Sequence, residues 1–516
     1  MGLDRGVDAA LAVLLRADLL AAQYTVDRLR QLWGDDADAA LARGDRTAAR
    51  RALDALDSSA PDPAATLART FLLGEPAPAE QLAAALPHLG SAGARELGLV
   101  DGAGRALLDL RPYSAIDGSG AVDWFVVSDL GELALGGPLP AEHVLGVGGA
   151  SITLASLIPT SSVDSVLDLG TGCGIQSLHA SRHAARVVAT DISARAIDVA
   201  RLTLRLNGIT SVEVRQGDLF APVQGERFDR IVSNPPFVIT PRRAGVPLYE
   251  YRDGGMVGDA LVEHVVRGVA EHLVPGGTAH LLGNWEYRDG ADGLDRVREW
   301  ITEAGLDGWV IERERQSPAE YAATWIRDGG TRVGTAEFER QAAEWLDDFA
   351  ARGVSSVGFG YIVLRRPTES TSRIVRTERL TSPFASVPTG IGDHLLACLR
   401  SFDEAGALDD AELGGRRLVV AGDVTEERHY WPGEENPTVI RLRQGGGFAR
   451  TIDADAALAG LVGASDGELT VAEIVGALAD LLEVDEGALR EQLLPQVREL
   501  LTVGVLSLAT ASLDAG

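Results

Sequence analysis

The chain predicts an α/β protein built on a doubly wound, mostly parallel sheet, with a helical region before it and a mixed α/β region after it. Three observations predict this. Between residues 140 and 366, short runs rich in valine, isoleucine and leucine alternate with amphipathic helical segments, the signature of a sheet covered on both faces. The two flanks lack that alternation. The 516 residues suggest about three domains at roughly 100–200 residues each, and an apolar share of 46% lets each bury a core.

Residues 1 to about 58 read as helices. Leu11, Leu14, Leu15 and Leu19 keep helical spacing, and Ala39, Leu41, Ala48, Ala49, Leu53 and Leu56 continue it. Ser58-Ser59-Ala60-Pro61-Asp62-Pro63 then breaks the pattern. Three short helical pieces follow, around 67–73, 79–85 and 92–97, and after them two strand-like runs at 106–110 and 124–127. This succession outlines a winged helix and places an N-terminal domain at 1–135. Its 61–130 stretch holds nine acids against four arginines, so packing or protein docking suits it at least as well as nucleic-acid contact.

A central domain at 136–366 reads as seven strands, at 165–169, 186–190, 212–216, 230–233, 278–282, 309–312 and 357–364. Amphipathic helices such as 194–206 and 261–272 sit between them. The last two strands lack a single compact helix between them and are expected to pair antiparallel. Pro367-Thr368-Glu369-Ser370-Thr371-Ser372 reads as a linker to a C-terminal domain at 373–516. That domain begins turn-rich, with strand candidates at 417–421 and 438–442. Its 451–510 tail is mainly helical and ends in a short apolar strand, a second winged-helix-like outline. Twelve acids and two arginines over 451–516 speak against DNA reading there.

Composition excludes several chemistries. The formal charge is -28, from 47 basic and 75 acidic side chains, and every one of the 47 is arginine. Without lysine there is no Walker-type phosphate loop, no pyridoxal Schiff base and no lysine nucleophile. Cys173 and Cys398 are the two cysteines, too few for a disulfide framework, which suits a reducing compartment. Met1-Gly2-Leu3-Asp4-Arg5 lacks the pattern of a secretory leader, and no run of about 18 apolar residues follows. The expectation is a soluble cytoplasmic protein with no membrane partner. Global acidity argues against indiscriminate nucleic-acid binding without excluding a local basic groove.

The strongest local pattern is Val166-Leu167-Asp168-Leu169-Gly170-Thr171-Gly172-Cys173-Gly174-Ile175, an apolar strand running through a glycine-rich turn into a helix. A dinucleotide fingerprint from Gly170 requires glycine where Ile175 stands, and from Gly172 where Ser177 stands. What remains, D-x-G-x-G-x-G, resembles the first motif of class I S-adenosylmethionine-dependent methyltransferases. The next strand ends in Thr190-Asp191-Ile192, 17 residues from Gly174 to Asp191, where a carboxylate reaches ribose hydroxyls or, alternatively, caps the following helix. Gln216-Gly217-Asp218-Leu219 follows the third strand, at the position that in the resembled family bonds the adenine amino group, with the next apolar residue beside the ring.

Ser233-Asn234-Pro235-Pro236-Phe237 follows the fourth strand. It resembles the catalytic motif of methyltransferases acting on adenine N6, guanine N2 or the side-chain amide of glutamine. A conjugated amine is a poor nucleophile because its lone pair is delocalised. An asparagine carbonyl and a proline-fixed backbone carbonyl can accept its hydrogens and favour pyramidalisation, and the aromatic can stack on a planar target. The resemblance assigns Asp168, Gly170, Thr171, Gly172, Gly174, Asp191, Ile192, Asp218, Leu219 and Asn234 to the cofactor, with Asp168 near its sulfonium and amino-acid end. It assigns Asn234, Pro235, Pro236 and Phe237 to the target.

Two flanking segments adjoin this set. The segment 142–151, with Gly146, Gly148 and Gly149, either covers the cofactor or forms a hinge. Tyr251-Arg252-Asp253-Gly254-Gly255-Met256-Val257-Gly258 resembles the D-G-G-x-x-G element of glutamine methyltransferases that modify peptide-release factors. The insertion 239–249 carries Arg242 and Arg243 and suits a substrate lid. His179 and His183 lack the carboxylate of a zincin helix and read as ordinary helix residues, so no metal is expected. The arginines at 365, 366, 373, 376 and 379 read as a solvated strand and linker, or as an RNA-phosphate contact.

The resemblance therefore implies an S-adenosylmethionine-dependent N-methyltransferase in a Rossmann-like seven-stranded domain. Its acceptor is a macromolecule: an RNA base amine or a protein glutamine amide. A small-molecule acceptor and a non-catalytic binding scaffold stand as alternatives.

Overall fold

The computed structural model describes residues 9–56, 62–135, 139–243, 246–368, 373–381 and 390–509. The chain start, positions 58–61 of the first break, and positions 369–372 of the linker lie outside the described residues. The chain forms two compact units. One comprises 1–155, 161–366 and 375–379; the other comprises 156–160, 367–374 and 380–516.

The first unit is centred on an eight-stranded sheet. Its strands are β1 (Val163–Leu169), β2 (Ala184–Asp191), β3 (Val212–Gln216), β4 (Phe228–Ser233), β5 (Leu273–Arg288), β6 (Asp307–Gln316), β7 (Val354–Arg365) and β8 (Val375–Arg379). They lie in the order β8-β6-β7-β5-β4-β1-β2-β3. The chain winds outward from β1 in both directions, so the order reverses between β1 and β4, where a doubly wound sheet opens its crevice. β7 runs antiparallel to both neighbours, and β6 pairs with it as expected. The seven expected strands are all present. The eighth, β8, pairs parallel with β6 at the sheet edge.

The helices on this sheet are α1 (Ile175–Ala180), α2 (Ala194–Leu206), α3 (Ala260–His272), α4 (Gly293–Glu303), α5 (Pro318–Asp328) and α6 (Ala336–Ala351). Their starts follow from capping chemistry. Ser193 caps α2, and a reciprocal Ser317–Glu320 capping box followed by Pro318 opens α5. α5 and α6 together form the connection between β6 and β7 that lacked a single-helix pattern.

Among the described residues, seven helices from Ala9–Ala21 to Gly90–Glu96, a hairpin of Leu108–Asp117 and Gly120–Asp129, and two further helices, Glu132–Leu135 and Gly149–Leu157, precede the sheet. Each hairpin strand runs further than its apolar core, because the outer half is solvent-facing and polar. Leu15, Leu19, Tyr24, Leu67, Phe71 and Trp124 share one hydrophobic core with Leu178 of α1 and with Val199, Leu202 and Leu206 of α2. Polar contacts reinforce it: Asn207 exchanges hydrogen bonds with both backbone groups of Phe125, at 2.9 and 2.7 Å. At the hairpin tip, Asp117 accepts from Arg182 (2.6 Å) and contacts His183 (3.0 Å). The wing-like hairpin is thus used in packing within the chain.

In the second unit, Arg417–Val420 lies between Asp466–Thr470 and Leu506–Leu508 in one antiparallel sheet, and Val424–His429, Val439–Gln444 and Thr451–Ala454 form another. Helices Ala456–Gly463, Val471–Leu482 and Glu486–Thr502 pack through Leu461, Ile474, Val475, Leu493, Val497 and Leu500, with the expected short strand closing the chain's described part. Among the described residues no single helix is long and apolar enough to cross a membrane.

Candidate active site

The residues singled out along the sequence gather at the C-terminal ends of β1, β2, β3 and β4. The turn after β1 is held from behind. Asp168, 1% exposed, accepts from Thr171 Oγ1 at 2.7 Å and from Ser177 Oγ at 2.6 Å. Burial pushes its carboxyl up to about 6, against the pull of the two hydroxyls. Asp168 thus braces the turn from the protein side, tying Thr171 of the turn to Ser177 of α1. Gly170 and Thr171 both donate their N–H to Thr190 O, at 2.9 Å each, which seats the turn on the end of β2. Gly172 and Gly174 have φ of +53° and +86°, and a Cβ on Gly172 would meet nothing within 4 Å. An open left-handed glycine in the turn that leads into α1 is a place where a ligand can approach the backbone. Cys173 is buried with its thiol pushed up to about 11, so it fills space and is unreactive.

A testable consequence concerns pH. A carboxyl raised to about 6 contributes stability that is fully present below about pH 4 and lost as pH rises through about 6. Asp168→Asn is therefore expected to gain on the parent by roughly 3 kcal/mol between pH 4 and pH 7. Urea denaturation of the two proteins across that range measures it, and parallel pH profiles would contradict the raised value.

Asp191 ends β2. Its Oδ2 accepts from Gly172 N and its Oδ1 from Ser193 N, both at 2.9 Å. Burial raises its pKa, and these N–H groups oppose the rise. The helix-cap alternative is settled against it, because Ser193 caps α2. Asp191 instead ties the glycine turn to the end of β2. Ile192 beside it is 59% exposed, an apolar surface without a protein partner to cover it. At the end of β3, Gly217 donates to Asp191 O at 2.9 Å, which brings the next two residues alongside. Asp218 is exposed, and Leu219 holds a φ of +43°, uncommon for a leucine.

The Asn-Pro-Pro-Phe segment leaves β4 beside the turn: a Cβ on Gly170 would come 4.0 Å from Asn234 O. Asn234 Oδ1 is buried without a hydrogen-bond partner. A buried polar atom left unpaired in a native fold calls for an explanation, and a bound donor is one. Pro235 O accepts Phe237 N–H at 2.7 Å, closing a three-residue turn and leaving one carbonyl lone pair. Phe237 departs from the expectation of a free stacking platform. It is 9% exposed, with its ring 5.4 Å from Phe359 and 6.4 Å from Trp325, so it forms a wall.

Beyond Phe237 the chain is pinned on both sides. Phe237 forms a bridge with Asp253, and Val238 donates to Arg252 O at 2.8 Å. Ile239 donates to Tyr321 Oη at 3.1 Å, and Asn284 Nδ2 meets the same hydroxyl at 2.5 Å. Arg242 is turned inward, bonding Asp253 and Met256 O, and Arg243 lies 3.6 Å from Asp347. Arg252, buried, lies 4.5 Å from the Tyr249 ring centre and bonds Asp328 and Trp325 O. Its neighbour Tyr251 packs edge-on to His143 of the preceding glycine-rich segment, at 6.0 Å. Besides Asn234, the buried polar atoms of this region without a partner include Thr240 Oγ1, Asp253 Oδ2, Asn284 Oδ1 and Trp325 Nε1.

Other sequence candidates are used internally. His179 meets Tyr113 Oη at 3.1 Å, and His183 meets Asp117. Arg365 pairs with Asp307 at 2.9 Å, Arg366 bonds Leu273 O at 2.8 Å, and Arg379 reaches Asp292 and Glu312. Arg365 and Arg366 are thus held inside the fold, whereas Arg373 and Arg379 are exposed, as a solvated strand and linker would have them. Sequence reasoning missed Ser177, Asn284, Tyr321 and Trp325. Asn284 and Tyr321 lie inside regular elements remote from any motif.

Residues 146–288 match the methyltransferase small domain, and residues 21–110 match a domain of unknown function, DUF7059. The ribosomal RNA small subunit methyltransferase C of Escherichia coli (strain SMS-3-5) is 33% identical over 161 residues, which is 30% of this chain and 42% of that protein. The protein of the same name from Escherichia fergusonii matches to the same extent. The chain thus spans under half the length of these curated relatives. Among solved structures, RsmC, a 16S rRNA methyltransferase of T. thermophilus in complex with AdoMet and guanosine, aligns over 54% of this chain and 62% of its own, with 18% identity and a TM-score of 0.28.

Proposed function

From the methyltransferase small domain at residues 146–288 we infer that this protein is an S-adenosylmethionine-dependent N-methyltransferase whose acceptor is the exocyclic amine of a base in RNA. The observation that carries the reading is the unpaired Asn234 Oδ1 beside the glycine turn, following Asp191 and Asp218 on successive strand ends. S-adenosylmethionine supplies an electrophilic methyl group on a sulfonium. The residues present fit it: the open glycine at 172, the Asp191 carboxylate, the uncovered Ile192 and the exposed Asp218 offer backbone, ribose, apolar and amine-accepting surfaces in turn. Gly170, Thr171, Gly174 and Leu219 shape that cradle, and Asp168 braces it.

The chain's own contribution to transfer is positioning. Asn234 Oδ1 and the remaining lone pair of Pro235 O accept the two amine hydrogens. That acceptance withdraws the nitrogen lone pair from conjugation and orients it. Pro235 and Pro236 hold the acceptors at fixed φ, so little ordering is needed when the acceptor arrives. Phe237, packed on Phe359 and Trp325, walls the pocket. No general base is required, since the methylated nitrogen is a cation that loses its proton readily.

The names of the curated relatives favour RNA, and the glutamine-methyltransferase-like element at 253–258 is the specific observation favouring protein. Transfer of labelled methyl into a cell extract lacking this protein, followed by separation of RNA, protein and small molecules, decides between them. Label recovered from RNA as a methylated purine is expected. Label confined to protein, or to small molecules, would overturn the RNA reading while leaving the methyltransferase one.

A further inference from the structure

The segment that follows the Asn-Pro-Pro-Phe motif depends on a distant side chain for its hydrogen bonding. Apart from the bridge at Phe237 it belongs to no helix or strand, so each N–H needs a partner of its own. Phe237 N–H turns back to Pro235 O, and Val238 N–H goes to Arg252 O, which leaves Ile239. Ile239 is 1% exposed, too deep for bulk water to serve it. Its N–H donates to the Tyr321 hydroxyl at 3.1 Å, from 82 residues further along the chain.

The hydroxyl is itself held in place. Asn284 Nδ2 of β5 bonds it at 2.5 Å, and burial keeps the phenol protonated by raising its pKa. The ring centre lies 6.0 Å from Trp325, 6.1 Å from Trp345 and 6.0 Å from Phe349, the last two on α6. The Ser317–Glu320 capping box ends one residue before Tyr321, so the backbone there is fixed as well. Trp325 stands four residues on, the spacing that puts two side chains on one helix face. Its ring meets that of Phe237 at 6.4 Å. α5 therefore grips the motif at two points, the ring of Phe237 and the N–H of Ile239. Both lie just beyond Pro235 and Pro236, whose fixed φ angles pass a displacement of Phe237 back to Asn234 instead of absorbing it.

We propose that Tyr321 is a positioning residue for methyl transfer: through Ile239 it sets where Asn234 and Pro235 present their carbonyls. Asn234 has the role proposed above, on which this inference rests. Tyr321 touches neither cofactor nor acceptor in this role, and its effect passes wholly through the motif. The leverage is large for a remote group, because misplacing a reacting arrangement by about 1 Å costs on the order of 100-fold in rate.

Tyr321→Phe in the full-length protein tests this, since the ring packing stays and only the hydroxyl goes. Labelled-methyl transfer into extract of cells lacking the protein, at saturating S-adenosylmethionine, is expected to slow by about 10- to 100-fold. Calorimetric affinity for S-adenosylmethionine is expected to stay at the parent value. In an Asn234→Ala background the same substitution is expected to add no further loss, because its route to the chemistry is gone. A merely structural role would instead lower the folded fraction and cut transfer equally in both backgrounds. That equal loss overturns the proposal, as does parental transfer by Tyr321→Phe or a proportional loss of cofactor affinity. If Tyr321→Phe does not fold, Trp325→Leu releases the second grip while leaving the Ile239–Tyr321 hydrogen bond in place, and the same outcomes are read from it. Absence of any transfer by the parent is a different failure, that of the methyltransferase reading itself.

Discussion

Asn234→Ala is expected to lower the rate of methyl transfer by about 100- to 1000-fold while leaving S-adenosylmethionine affinity within a few-fold of the parent. The magnitude is that of removing one preorganised polar group aimed at charge developing in the transition state, about 3–4 kcal/mol in a site that excludes water. The direction follows from Asn234 Oδ1 being buried and unpaired in the protein alone. Deleting an atom with no internal partner costs the fold little, so the loss belongs to turnover. Single-turnover transfer, with calorimetry for the cofactor, separates the two quantities. A variant that transfers at the parental rate would remove Asn234 from the chemistry. One that loses cofactor affinity in the same proportion would move it to the cofactor's side.

Asp191→Ala is expected to have the opposite profile, a loss of S-adenosylmethionine affinity of about 10- to 100-fold with a smaller effect on turnover at saturation. Two N–H groups, those of Gly172 and Ser193, converge on this one carboxylate. Without it the glycine turn loses its tie to β2, and a ribose loses its acceptor. Calorimetric titration with S-adenosylmethionine reads the affinity, and parental binding by the variant would refute the assignment. The variant is also expected to lose about 1–3 kcal/mol of stability, since both N–H groups give up a charged partner.

Much of the central sheet was legible because its strands are buried on both faces and spell continuous apolar runs. The exceptions share a cause. β8 escaped notice because Val375–Arg379 is mostly charged; it is held at the edge by Trp309 donating to Glu378 and by Arg379 pairing with Asp292. β5 was read as 278–282 yet runs Leu273–Arg288, since Asn284 and Glu286 interrupt the apolar pattern. Both are nonetheless buried. The Tyr321 hydroxyl bonds Asn284 Nδ2, while Arg288 and Arg352 pair with Glu286. Where partners lie far off in sequence, a buried polar residue looks like a surface one.

The candidate site divides along the same line. Asp168, Asp191, Asp218 and Asn234 each lie at or just beyond the end of a strand, so spacing alone locates them. The walls come from elsewhere: Tyr321 and Trp325 from α5, Asn284 from late β5 and Phe359 from β7. Their roles arise only once the sheet brings them together. Phe237 shows the limit most plainly, since its identity suggested stacking and its neighbours made it a wall.

The continuous core between the N-terminal helices and α2 has a mechanical consequence. α2 begins at the residue after the Ser193 cap, and Ser193 is itself anchored on Asp191. The opposite flank of the same helix carries Val199, Leu202 and Leu206 into the core of the first hundred and thirty residues. One helix therefore links the end of β2, where Asp191 holds the glycine turn, to the core of the N-terminal helices. A substitution that loosens that core is expected to disturb the glycine turn through a helix of fewer than four turns.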